Sequence, residues 1–308
     1  MNARPRWQSW WIAFDYALLL PLLARMPVPW GRYLATVRGR WYARWGRDWR
    51  QFSFQDIALR ERTRQAYAEI RSHAGSEEIE HMVRQRYIMQ SLEELEAAWV
   101  ACRDLSHWPV EYIGLEPVRN VIKTHGRVVF VTSHFASSVL GTIHLRQLGV
   151  PVLGMSSNVV DDPRVHPAIG RFYRKKYAAM GPYLLGGSVI DRQGNSREFL
   201  RFLKQGGMVV IVGDLPPEPQ EKTHEVHFFG KVRSFTSGPL RMAAITQSPL
   251  LAFVCEYTSK GYRVTFSDPE KNPYALFENH IQKNPSAWWA ADLLPLLPLV
   301  KNGDGDQP

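Results

Sequence analysis

Arg127-Val-Val-Phe-Val-Thr-Ser-His134-Phe-Ala-Ser-Ser-Val-Leu-Gly141 decides the fold. Val128, Val129, Phe130 and Val131 form an unbroken, mostly β-branched apolar run, which reads as a strand buried on both faces. Thr132 and Ser133 are residue types that commonly open helices, so the run predicts a strand-to-helix corner carrying His134. In an open α/β sheet, ligands bind at such corners, beyond the carboxyl ends of the strands. An imidazole there has two readings: it takes a proton from an incoming hydroxyl or amine, or it is a satisfied, half-buried histidine at a helix start.

The same grammar recurs downstream. Pro151-Val-Leu-Gly-Met155, Gly206-Gly-Met-Val-Val-Ile-Val-Gly-Asp214, residues 249–255 and residues 262–266 read as further strands, the last two joined by a turn at Ser259-Lys-Gly261. Residues 165–180 read as a basic helix with Arg171, Arg174, Lys175 and Lys176. Strands alternating with helices predict an α/β fold with a mostly parallel central sheet flanked by helices. Upstream, residues 55–99 are helical in pattern and strongly charged, with apolar positions from Ile57 to Leu95. The charged positions there read as solvated faces, and the segment as a helical layer covering the sheet. Asp104 and His107 make a helical pair of a kind common on surfaces.

A chain of 308 residues, 45% hydrophobic, can bury a large core, and one domain with a terminal appendage is expected. Cys102 and Cys255 lie far apart, which excludes a disulfide framework and suits a reducing compartment. No G-x-G-x-x-G or P-loop pattern sits at a strand end, so a nucleotide cofactor has no support. The net charge of +9 points to an acidic partner: nucleic acid, anionic lipid or an acidic carrier protein.

The amino-terminal part narrows that choice. Trp7-Gln-Ser-Trp-Trp-Ile-Ala-Phe-Asp-Tyr-Ala-Leu-Leu-Leu-Pro-Leu-Leu23 is apolar and aromatic, broken by Asp15 and Pro21, and at the short limit for crossing a bilayer. It either spans with help or lies in the interface. No small-residue cleavage site follows it, so it does not read as a removable signal peptide. Arg4 and Arg6 precede it; Arg25, Arg32, Arg38, Arg40, Arg44, Arg47 and Arg50 follow. Trp41, Trp45 and Trp49 recur every four residues, which places indoles on one helix face beside guanidinium groups, as suits a lipid headgroup layer. The other reading packs these tryptophans into the core behind a solvated basic face. Clustering next to an apolar anchor favours anionic lipid over nucleic acid as the partner. The expected division is residues 1–50 as membrane anchor and basic-aromatic interfacial helix, and 51–308 as an α/β domain with helical cover.

Taken in order, Val131-Thr-Ser-His134-Phe, Leu140-Gly141, Ile190-Asp191-Arg192, Gly207 to Asp214, His227-Phe-Phe-Gly230 and Thr236-Ser-Gly-Pro-Leu-Arg-Met-Ala243 resemble the bacterial late acyltransferases of lipid A synthesis, within the lysophospholipid acyltransferase superfamily. The resemblance covers nearly the whole chain. It implies a glycerol-phosphate acyltransferase-like fold and an enzyme on the cytoplasmic face of the bacterial inner membrane. Such an enzyme moves a fatty acyl group from acyl carrier protein or CoA to a lipid or glycolipid acceptor, without metal or organic cofactor.

Two departures follow from that resemblance. The family carries an acid five positions after its histidine, which fixes the imidazole tautomer and stabilises its cation; here that position is Val139. Ser137 or Ser138 could orient the ring, but a neutral oxygen stabilises imidazolium less than a carboxylate does. Asp161, Asp162, Asp191 or Asp214 could supply the charge from another loop, and an acid within about 3.2 Å of a ring nitrogen would restore the pair. The family also closes with a tryptophan followed by His-Arg-Arg, where this chain has Trp288-Trp-Ala-Ala-Asp292 and an apolar run. The loss of those cations implies an acceptor other than ordinary lipid A.

The remaining residues keep two readings each. Arg192 holds a phosphate or stabilises the oxyanion, or pairs with Asp191 at the surface. Asp214 binds the acceptor or caps the turn after it. Phe228, Phe229 and Gly230 line an acyl channel or belong to the core. Thr236 and Ser237 open a helix whose amides, with Arg241, face an anion, or form an ordinary cap. Two functions stay open: an active acyltransferase using His134, or a degenerate relative that binds acyl chains or acyl carrier protein as another enzyme's partner.

Overall fold

The computed structural model describes residues 6–46, 48–157 and 161–300; Arg4 and Arg47 lie outside them. Seven strands form the central sheet: β1 (Val110–Ile113), β2 (Val128–Thr132), β3 (Val152–Ser156), β4 (Ser188–Asp191), β5 (Met208–Val212), β8 (Leu250–Thr258) and β9 (Gly261–Phe266), in spatial order β1-β9-β8-β2-β5-β3-β4. All neighbours are parallel except β8 and β9. β6 (Thr223–Phe228) and β7 (Lys231–Thr236) form a separate antiparallel hairpin. The expected α/β fold with a mostly parallel sheet is what the chain adopts.

Side chains along the central strands alternate between two cores, as the two-residue period of a strand requires. Val129, Leu153, Val209 and Ile211 pack with Phe199 and Leu203 of α10 (Ser196–Lys204) and Ala243 of α11 (Gly238–Thr246). Val128, Phe130, Val152, Met208 and Val210 face a much larger core. Its cover includes α5 (Leu59–Ile70), α6 (Ser76–Val100), α7 (Leu115–His125), α8 (Ser138–His144) and α9 (Pro167–Met180). Gly141, in the family-like Leu-Gly pair, lets α8 lie directly on β8: a Cβ there would sit 2.7 Å from the Cβ of Cys255.

The amino-terminal residues share this core. α1 (Arg6–Phe14) runs through a π-turn at Asp15–Leu19 into α2 (Leu20–Arg25), and α3 (Val28–Trp45) folds back along α6. At Gly39 a Cβ would stand 2.5 Å from the Cα of Ile88, so only glycine lets α3 approach so closely. Among the described residues no helix is long and apolar enough to cross a membrane, so the spanning reading of residues 7–23 does not hold. Asp15 explains why. It is fully buried, accepting from the guanidinium of Arg38 and from Tyr42, and Arg38 also reaches Glu94 at 2.7 Å.

The arginine–tryptophan pattern is likewise divided. Arg32 pairs with Glu96 and Arg50 with Asp292, both turned inward with Arg38, whereas Arg25, Arg40 and Arg44 are exposed. Trp49 does not continue the face of Trp41 and Trp45. α3 ends at Gly46 in the left-handed region, and Trp49 opens α4 (Trp49–Phe54), buried, behind an Asp48 capping box. The charged face expected on residues 55–99 is also not fully solvated, because Arg86, Glu93, Glu94 and Glu96 of α6 are buried. α6 is enclosed by helices on several sides along its carboxyl-terminal part, and its buried polar residues therefore point at partners or cavities rather than at water.

Candidate active site

β2 and β5 lie side by side with Thr132 opposite Val212. The amide of Gly213 then donates to the carbonyl of Thr132 at 2.7 Å, extending the pairing past the strand ends. Two residues beyond the Thr132–Val212 pair on each strand stand His134 and Asp214, so parallel register alone brings them face to face. Nδ1 of His134 donates to Oδ1 of Asp214 at 2.8 Å, and the His134 backbone N–H donates to Oδ2 at 2.8 Å. The indole N–H of Trp288 donates to the same Oδ2 at 2.7 Å.

Asp214 is completely buried. Burial alone would raise its carboxyl, but the electrostatic pull of His134 and the three hydrogen bonds outweigh that and hold it below the usual carboxylate range. The acid missing at Val139 is therefore supplied from a neighbouring strand. Asp161 and Asp162 are occupied with Arg174 and Arg164, and Asp191 accepts from the amide of Gln193; none of the three reaches the ring.

The helix expected directly after Thr132 and Ser133 starts later. Residues 133–137 form a loop pinned on three sides: Trp289 N–H donates to the His134 carbonyl, Ala136 N–H to Ala287, and Ser137 N–H to Cys255. Ala136 takes a left-handed φ of 46° in this loop, and α8 begins at Ser138. The indole of Trp289 stands edge-on to the imidazole, 4.6 Å between ring centres. Its carbonyl accepts from the fully buried Arg86, whose other nitrogens face Asp48 and Asp292.

His134 is 20% exposed and lines a cavity of about 310 Å³. Nε2 makes no hydrogen bond with any described residue. Thr132, Ser138, Val139, Thr142, Tyr173 and Trp289 share the lining, together with Arg50, Glu93 and Lys176. Glu93 also borders a second cavity, of about 180 Å³, lined by Ser137. Burial drives the Glu93 carboxyl up to about 7. Lys176 pulls it back, Glu94 and Glu96 push it up further, and His134 lowers it.

The other expected site residues lie elsewhere. Arg192 is ion-paired with Glu218 and Glu221, not with Asp191, and does not line the cavity. Phe228 is fully buried and packs with Phe229 around Trp288, so the pair supports the wall behind Asp214. Gly230 turns the β6–β7 hairpin with φ 71°. Ser237 precedes α11, and Arg241 is exposed on it. Glu93, Lys176 and Arg50 carry no signal as site residues and are brought in by packing across the fold; Trp288 is marked only by its match to the family's closing tryptophan.

A buried acid bonded to an imidazole thus stands at the carboxyl edge of the α/β sheet, beside a cavity, where ligands of such sheets bind. The chain belongs to the bacterial lipid A biosynthesis acyltransferases, whose family model matches residues 3–288. It is thus an acyltransferase of the lipid A type. No individual curated protein matches it.

Proposed function

We propose that this protein transfers a fatty acyl group from an acyl carrier protein or CoA thioester to a hydroxyl or amine of a lipid acceptor other than ordinary lipid A. The observation carrying this reading is the Asp214–His134 bond at Nδ1, which leaves Nε2 as the free proton acceptor beside the cavity. Nε2 takes the proton from the acceptor as its oxygen or nitrogen attacks the thioester carbonyl. The tetrahedral intermediate then collapses, the C–S bond breaks, and the proton passes from Nε2 to the leaving thiolate. Asp214 stays ionised throughout and stabilises the imidazolium.

Association with the cytoplasmic face of the inner membrane belongs to the same reading. Trp7, Trp10, Leu18, Leu22, Trp30, Trp41 and Trp45 are exposed on the first three helices, with Arg25, Arg40 and Arg44 beside them. Apolar aromatics next to exposed guanidinium groups support an interfacial rather than a spanning attachment. The test is acyl transfer from acyl carrier protein thioesters into a membrane lipid extract, comparing wild type with His134→Ala. Loss of product in the variant is expected; equal product from both removes the reading and leaves the non-catalytic partner in its place.

A further inference from the structure

The charges around the His134 cavity do not all have partners. Arg50 is held by Asp48 and Asp292, and His134 by Asp214. Glu93 and Lys176 are only 4% and 6% exposed, line the same cavity, and make no hydrogen bond or ion pair with any described residue. They come from α6 and α9, which pack against each other. Nζ of Lys176 lies 4.5 Å from the Tyr173 ring centre and 5.0 Å from that of Tyr177, faces that hold an ammonium without neutralising it.

Taking an ion out of water without a counter-charge is costly, and opposite ions close on one another when nothing belongs between them. These two do not close. We propose that Glu93 and Lys176 are the two poles of a headgroup subsite for a zwitterionic acceptor, with a primary amine against Glu93 and a phosphate or carboxylate against Lys176. The proposal rests on the acyltransferase reading above and names its acceptor class. A purely anionic headgroup would satisfy Lys176 but set like charge beside Glu93, and a neutral polyol would leave Lys176 unpaired. At about 310 Å³ the cavity stands at the small end of ligand sites, which suits a headgroup rather than a whole lipid.

The experiment is an equilibrium titration of wild-type protein, without acyl donor, using lysophosphatidylethanolamine, lysophosphatidic acid and monoacylglycerol of one chain length. Trp49 and Trp289 in the cavity wall give a fluorescence signal, and calorimetry gives an independent one. The zwitterion is expected to bind at least ten-fold tighter than the other two. Glu93→Gln should weaken the zwitterion ten-fold or more and tighten lysophosphatidic acid, which no longer meets like charge; Lys176→Met should weaken both phosphate lipids and spare monoacylglycerol. Equal affinity for the three lipids, or zwitterion binding indifferent to both substitutions, overturns the subsite. Because no turnover is needed, selective binding without acyl transfer removes the enzyme reading alone, while transfer indifferent to both substitutions removes the subsite alone.

Discussion

Replacing Asp214 by asparagine removes a charge from the site while keeping its shape. Oδ2 receives two N–H groups, from the His134 backbone and the Trp288 indole, so the amide oxygen of Asn must stay there. The amide NH2 is then turned towards Nδ1 of His134, where Oδ1 accepted at 2.8 Å. Two donors cannot face each other, so Nδ1 gives up its hydrogen and the ring proton moves to Nε2. That is the nitrogen required to be bare when the acceptor arrives. In a related triad the same change costs about 10⁴-fold in turnover, which corresponds to about 5.4 kcal/mol in the barrier. Folding should suffer far less, by about 1–3 kcal/mol, since the hydrogen bonds survive in number and lose only their charge assistance. Single-turnover release of thiol from an acyl carrier protein thioester, with urea unfolding alongside, separates the two. An Asp214→Asn protein that folds and keeps more than a third of wild-type turnover would refute the tautomer argument.

Glu93 makes stability depend on pH. Its carboxyl is raised to about 7 in the folded protein, so the unfolded chain ionises first and stability is lost as pH climbs from the ordinary carboxyl value through about 7. Glu93→Gln abolishes that loss and should gain about 3 kcal/mol on wild type between pH 5 and pH 8, read from urea midpoints. Arg86→Met removes one of the cations that buried Asp48 and Asp292 share, leaving them Arg50, and should cost about 1.5–3 kcal/mol, with slower turnover because the Trp289 carbonyl loses its anchor; an unchanged unfolding midpoint would contradict this. Trp10, 79% exposed, should matter only to lipid. Trp10→Ser should weaken sedimentation with anionic vesicles while stability stays within about 0.5 kcal/mol.

Much of the sheet is legible in the residues. β2, β3, β5 and β8 are buried on both faces, and an unbroken apolar run has no other economical meaning at that length. β1 and β4 are harder, being four residues long and half exposed, with Glu111 and Ser188 interrupting the pattern. The β6–β7 hairpin hides for a related reason: Glu225 and His227 alternate with Val226 and Phe228, a further polar residue, His224, sits on the inner face, and its Phe-Phe-Gly turn suggests a channel. His134 stands out in the sequence because it ends a strand. Its acid, Asp214, is one of four candidates there, and which of the four reaches the ring is not legible, since the contact joins residues 80 apart and depends on which strands become neighbours. Glu93 is concealed by its surroundings, as a charged helix enclosed by other helices looks from sequence like one facing water.

In the proposed mechanism, drawing the acid from the adjacent strand, rather than from the next turn of chain, makes proton abstraction contingent on tertiary assembly. A nascent or partly opened chain in which β2 and β5 have separated, or slipped by one residue, carries an unassisted imidazole. Such a chain is inert towards thioesters rather than wasteful of them, and catalytic competence becomes a gauge of how faithfully the middle of the sheet has been put together.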